Sequence, residues 1–161
     1  MIHLKGEVLV QRLSEDGEVF TVVDDRNLIV LNGRTNICNF LIGKSGSYIN
    51  DIAFGSGGTV TGNSNVALPV LPTEQTLNSV LLASLANGDY SLSPTIETSP
   101  SPRIIFSVVV PQNDTLLNGK GISEIALMLN STIPTAFAIK RFPVISKSNT
   151  ISLLITWTIY I

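Results

Sequence analysis

Hydrophobic and polar residues alternate one by one at the start of the chain. Ile2, Leu4, Val8 and Val10 fall on one face, and His3, Lys5, Glu7 and Gln11 on the other. A period of two is that of a strand with one buried face. Glu15-Asp16-Gly17-Glu18 predicts a turn, with Gly17 free to take positive φ. Residues 19–23 return as a second strand, so residues 2–23 read as a hairpin. The polar run Asp24-Asp25-Arg26-Asn27 predicts a further turn into the apolar run 28–31. One stretch has helical spacing: Ile37, Phe40 and Leu41 follow Asn32-Gly33, and Gly43 stops the pattern. Asn32 is placed to cap that helix, because its side chain can accept from an orphan N–H of the first turn.

Beyond the helix the pattern returns to strands. Residues 49–54 form a short one, and residues 55–73, rich in Gly, Asn, Thr and Pro, predict a long loop. Residues 79–85 suit a strand or a short helix, and Ala86-Asn87-Gly88-Asp89 a turn. A weak strand at 95–98 is broken by Ser99-Pro100-Ser101-Pro102. Ile104, Phe106, Val108 and Val110 alternate until Pro111. Asn118-Gly119-Lys120-Gly121 turns into a strand at 122–129, and 136–142 is another. At the end, Ile151, Leu153, Ile155, Trp157, Ile159 and Ile161 share a face opposite Ser152, Thr156, Thr158 and Tyr160. Short strands at fairly regular intervals with one short helix predict a mainly β chain. The expected architecture is a single antiparallel β-sandwich or jelly-roll-like domain over residues 1–161.

Composition changes what surrounds that domain. The chain has 161 residues, of which 44% are hydrophobic and only 14% charged, against roughly a quarter charged in ordinary soluble domains. So little charge leaves apolar surface for other subunits to cover, and implies a homo-oligomer. Ten Lys and Arg against 12 Asp and Glu give a net charge of −2, which argues against a nucleic-acid partner. The apolar runs are too short for a membrane span, and the N-terminal stretch lacks the apolar region of a signal peptide. Asn113-Asp114-Thr115 and Asn130-Ser131-Thr132 match the glycosylation acceptor by chance on that reading. A single Cys excludes an intrachain disulfide, and a single His removes the commonest acid–base and metal-binding residue.

The candidate chemical signals are weak. Gly43-Lys44-Ser45 looks like the end of a phosphate-binding loop, but Cys38 stands where that pattern needs glycine. Gly55-Ser56-Gly57-Gly58 has no following helix to hold a pyrophosphate. His3 reads as a solvated imidazole, and Cys38 as a small core residue. Glu15, Asp16, Asp24 and Asp25 cluster at predicted turns without the spacing of a calcium loop. Paired carboxylates for glycoside cleavage are the one enzymatic option that composition leaves open. Phe106, Phe137, Phe142 and Trp157 read as core, while Tyr48 and Tyr90 lie near turns where a sugar could stack. These readings give no catalytic residue, no cofactor and no metal, and therefore a protein that is not an enzyme.

Several segments, taken in order, resemble a family of tailed-bacteriophage structural proteins. They are Asn27-Leu28-Ile29-Val30 with Gly33-Arg34, the helical piece ending in Gly43, and Ile52-Ala53-Phe54-Gly55-Ser56-Gly57-Gly58-Thr59. Thr76-Leu77, the strand Arg103–Val110 and Gly121-Ile122-Ser123-Glu124-Ile125-Ala126-Leu127 follow. Phe137-Ala138-Ile139-Lys140-Arg141-Phe142, Ile145-Ser146-Lys147 and Thr156-Trp157-Thr158-Ile159-Tyr160-Ile161 complete the set. The resemblance covers nearly the whole chain. It implies a virion component of the tail, baseplate or fibre attachment region, made in the host bacterial cytoplasm and joined to other phage structural proteins. A capsid cement protein is the alternative within that class. A module reading host surface glycan is the alternative outside it.

The expected interface is the first hairpin. Residues 1–23 look separable from the body at the polar run 24–27, and a two-stranded hairpin alone is marginal in water. Ile2, Leu4, Val8 and Val10 then either belong to the domain's own core or pair with a neighbouring subunit.

Overall fold

In a computed structural model, the structure describes residues 4–44, 46–56, 80–83, 92–131 and 135–161. Ile2, His3, Ser45, Tyr90, the turn at 86–89 and most of the 55–73 loop lie outside the described residues. The elements are β1 (Lys5–Ser14), β2 (Val19–Ile29), α1 (Leu31–Leu41), β3 (Ile49–Gly55), β4 (Val80–Ala83), β5 (Ser93–Glu97), β6 (Arg103–Val110), β7 (Gly121–Leu129), β8 (Thr135–Ser146) and β9 (Ile151–Tyr160). The chain is mainly β, sandwich-like and antiparallel throughout the described pairings. The strand order is β4-β3-β7-β8-β2-β1-β9-β6-β5.

The alternation along β9 sets the register of one half. Ile151, Leu153, Ile155, Trp157 and Ile159 are buried, and their neighbours face outward. Val8 lies opposite Trp157 on one side, and Phe106 lies opposite it on the other. Ile125 and Leu127 of β7 with Phe137 and Phe142 of β8 come from the other half, and all join one hydrophobic cluster. A second cluster joins Ala53, Ala126 and Ala136 of β3, β7 and β8 with Val30, Met128 and Ile139.

Three elements differ from the sequence reading. The polar run Asp24–Asn27 is not a turn. β2 runs straight through it to Ile29 and changes partner there, from β1 to β8. Within the run, Asp25 and Arg26 are held by a distant partner. Lys140 Nζ of β8 donates to Asp25 Oδ2 at 2.6 Å and to the Arg26 carbonyl at 3.0 Å. Asn32 is not the helix cap. Val30 holds the N-cap position without a side-chain bond, and its own N–H donates to the Phe137 carbonyl at 3.1 Å. Finally, α1 meets the sheet through Gly33, its one buried residue, and through Ile37, partly buried against the core, while Phe40 and Leu41 are exposed. Gly17 does take the positive φ expected of it, 81°, and Gly43, which stops the helix as expected, takes 74°.

The hairpin is not an arm. β1 is an interior strand, paired with β2 on one side and along its whole length with β9 on the other. Val8 and Val10 are 1% and 2% exposed. Leu4 packs against the same cluster. The assembly interface expected at Val8 and Val10 is therefore overturned, because their faces are spent inside the chain's own core.

Candidate functional site

Two groups of exposed apolar side chains flank β2 along the chain, one at the hairpin tip before it and one at the end of α1 after it, and of these the sequence pattern marked only Tyr48 as exposed. The first is the hairpin tip. Val19 pairs with Leu13, and Phe20 with Arg12. β2 carries an extra residue, Val22, beside the Val10–Gln11 step, a bulge in the ladder just before the tip. Val19 and Phe20 are 57% and 53% exposed, and Leu13 and Val22 are exposed too. Along the outward face, Leu154 opposite Gln11 and Val109 opposite Leu154 continue the apolar surface across β9 and β6. The tip is rimmed by Glu15, Asp16 and Glu18, all exposed.

The second group closes α1. Phe40, Leu41 and Ile42 are 70%, 66% and 67% exposed, and Tyr48 is exposed close behind them. Local hydrogen bonds hold this surface. Asn36 Nδ2 donates to the Ser47 carbonyl at 2.6 Å, and the Ser47 N–H donates back to Asn36 Oδ1 at 2.9 Å. The Asn130 N–H donates to the Tyr48 carbonyl at 2.8 Å, which ties the segment to the end of β7. Residues 30–50 carry Arg34 and Lys44 and no acid. Cys38 is exposed on this helix, not a core residue as its spacing had suggested.

At the other end of the outward sheet face the surface is ionic. Lys5 pairs with Glu7, and Tyr160 Oη donates to Glu7 Oε2 at 2.8 Å. The Lys5 ammonium lies 5.1 Å from the centre of the Tyr160 ring. Arg103 Nε donates to Glu97 Oε2 at 2.7 Å. The bonds from Lys5 and then Tyr160 hold the Glu7 carboxyl below its ordinary value of 4.5. A depressed carboxyl pKa stabilises the fold above the unfolded value and loses that stabilisation as pH falls through the folded one. Because Glu7 is well solvated, the effect is under about 1 kcal/mol. In thermal melts, Glu7→Gln should therefore lower the transition slightly at neutral pH, and the difference should shrink as acid protonates the carboxyl.

The buried charges serve the fold. Lys147, 1% exposed, donates from Nζ to Asn118 Oδ1 at 2.5 Å, to the Ser148 carbonyl at 2.7 Å and to the Gln112 carbonyl at 3.3 Å. Burial lowers its pKa, and nearby Asp114 works in the opposite direction. Asp114 Oδ2 also accepts from the Leu117 N–H at 2.6 Å. These bonds fasten the connection between β6 and β7 over the end of the core. Arg141 Nε reaches the fully buried Glu124 at 3.4 Å. Among the described residues, no three His, Cys, Asp or Glu side chains converge as metal ligands would. The four acids expected to cluster are divided: Glu15 and Asp16 are at the hairpin turn, while Asp24 and Asp25 are in β2. Gly43-Lys44 follows a helix, the reverse of a phosphate loop. No described helix is long and apolar enough to cross a membrane.

Comparison with protein families, with curated proteins and with solved structures finds no match to this chain.

Proposed function

We propose that this chain is a structural subunit that works by binding other subunits, and that its place is the virion of a tailed bacteriophage, in the tail, baseplate or fibre attachment region. The exposed run Phe40-Leu41-Ile42 carries the reading. Three consecutive large apolar side chains at a helix end serve no purpose in a lone domain, and covering them releases on the order of 5 kcal/mol before the cost of association. The low charge content points the same way. The choice of a phage particle rests on the ordered segments that resemble tail-associated proteins.

The test is composition and imaging of particles. Mass spectrometry of purified virions should find the chain at a fixed copy number, and a labelled chain should appear at one place on the tail. Virions lacking it, with the chain free in the lysate, would overturn the phage assignment. Leu41→Glu should fold normally yet be absent from particles.

A further inference from the structure

We infer that the hairpin tip of one copy docks on the α1 end of a second copy, a head-to-tail contact. This rests on the assembly reading above and names its partner. The charges around the two apolar surfaces are complementary. Residues 11–23 carry Glu15, Asp16 and Glu18 against Arg12, while the exposed charge next to Phe40-Leu41-Ile42 is Lys44, Arg34 lying earlier in α1 with its Nε donating to the Ile29 carbonyl at 3.3 Å. Tip against tip would bring the acidic rims together, and helix end against helix end would oppose two basic ones. Tip against helix end matches acid with base around apolar centres, so each surface finds its best partner in the other.

The geometry then decides the kind of assembly. The two surfaces lie on different elements, one at the hairpin tip before β2 and the other at the far end of α1, which follows β2. A contact between unlike patches is heterologous: it leaves a free tip at one end and a free helix end at the other, and propagates until a ring closes or a filament grows.

Two substitutions at exposed positions test this by mixing. Phe20→Lys spoils the tip, and Leu41→Glu spoils the helix end. Light scattering of the wild-type chain at micromolar concentration should show species larger than the 17.3 kDa monomer. Each variant alone should be monomeric, with an unchanged thermal transition. Mixed in equal amounts they should form a dimer and nothing larger. The intact tip of the Leu41→Glu chain meets the intact helix end of the Phe20→Lys chain, and the remaining ends are dead. A mixture that stays monomeric overturns the head-to-tail contact. So does a variant that still assembles alone, although assembly as such would then survive. A wild-type chain that remains a monomer overturns both this contact and self-association, leaving incorporation into particles to be judged separately by the virion experiment.

Discussion

Val8→Asp should leave a chain with no cooperative thermal transition. Val8 is 1% exposed between Asp25 and Trp157 in the register of the sheet. The substitution removes a buried isopropyl group and puts a carboxylate beside the indole. Val8 also lies next to Asp25, so the new carboxylate would meet a second acid and must stay protonated or disrupt the pair with Lys140. The combined cost, about 5 kcal/mol, is comparable with the whole stability of an ordinary domain. Circular dichroism on heating is the measurement. A normal melt with defective assembly would restore the hairpin as a detachable arm. Phe20→Lys, twelve positions along the same hairpin, should melt like the wild type, and the contrast separates core from surface.

Gly33→Val should have the next largest effect, and it acts on the helix rather than the core. A Cβ at position 33 would lie 2.3 Å from the Phe137 carbonyl oxygen and 3.0 Å from its carbon. Both are backbone atoms of β8, so no side-chain rotation relieves the clash. Either α1 lifts from the sheet or β8 shifts, at on the order of 3 kcal/mol. Lifting α1 also moves Phe40, Leu41 and Ile42. The variant should therefore melt earlier and lose self-association together, whereas Leu41→Glu loses association alone. A Gly33→Val chain as stable as the wild type would show that the helix sits farther from β8.

The two outcomes also show what a sequence pattern can carry. The alternation of β9 and the first strand was legible because each side chain's face depends only on its place in a period of two. The turn at Gly17 and the helix stop at Gly43 were legible because positive φ is a local demand. Asp24–Asn27 was misread because the partner that holds Asp25 and Arg26 is not local. Lys140 lies far along the chain from Asp25, and nothing beside Asp25 announces it. The helix was found, but its packing face was placed only in part. Spacing marked Ile37, Phe40 and Leu41 as the packing side, and of these only Ile37 packs on the core, while contact through Gly33 depends on the absence of a side chain and leaves no apolar signal. The apolar surfaces were foreseen in amount, from the low charge, but not in place. An exposed Phe40 and a buried Phe142 are the same letter until the strands around them are known.

The pairing of β1 with β9 has a consequence for how the chain is made. Lys5 lies opposite Tyr160, and Ser14 opposite Ile151. During synthesis, the first strand leaves the ribosome with β2 soon available on one side and nothing on the other. Its second edge, beside Val8 and Val10, stays open until β9 has been translated. Contacts between such distant segments form late and slowly. The domain thus cannot mature piecemeal: its folding waits for β9 to emerge from the ribosome. A nascent chain stalled before Ile151 should be the form that holdase chaperones capture and proteases cut, and release of β9 should end both at once.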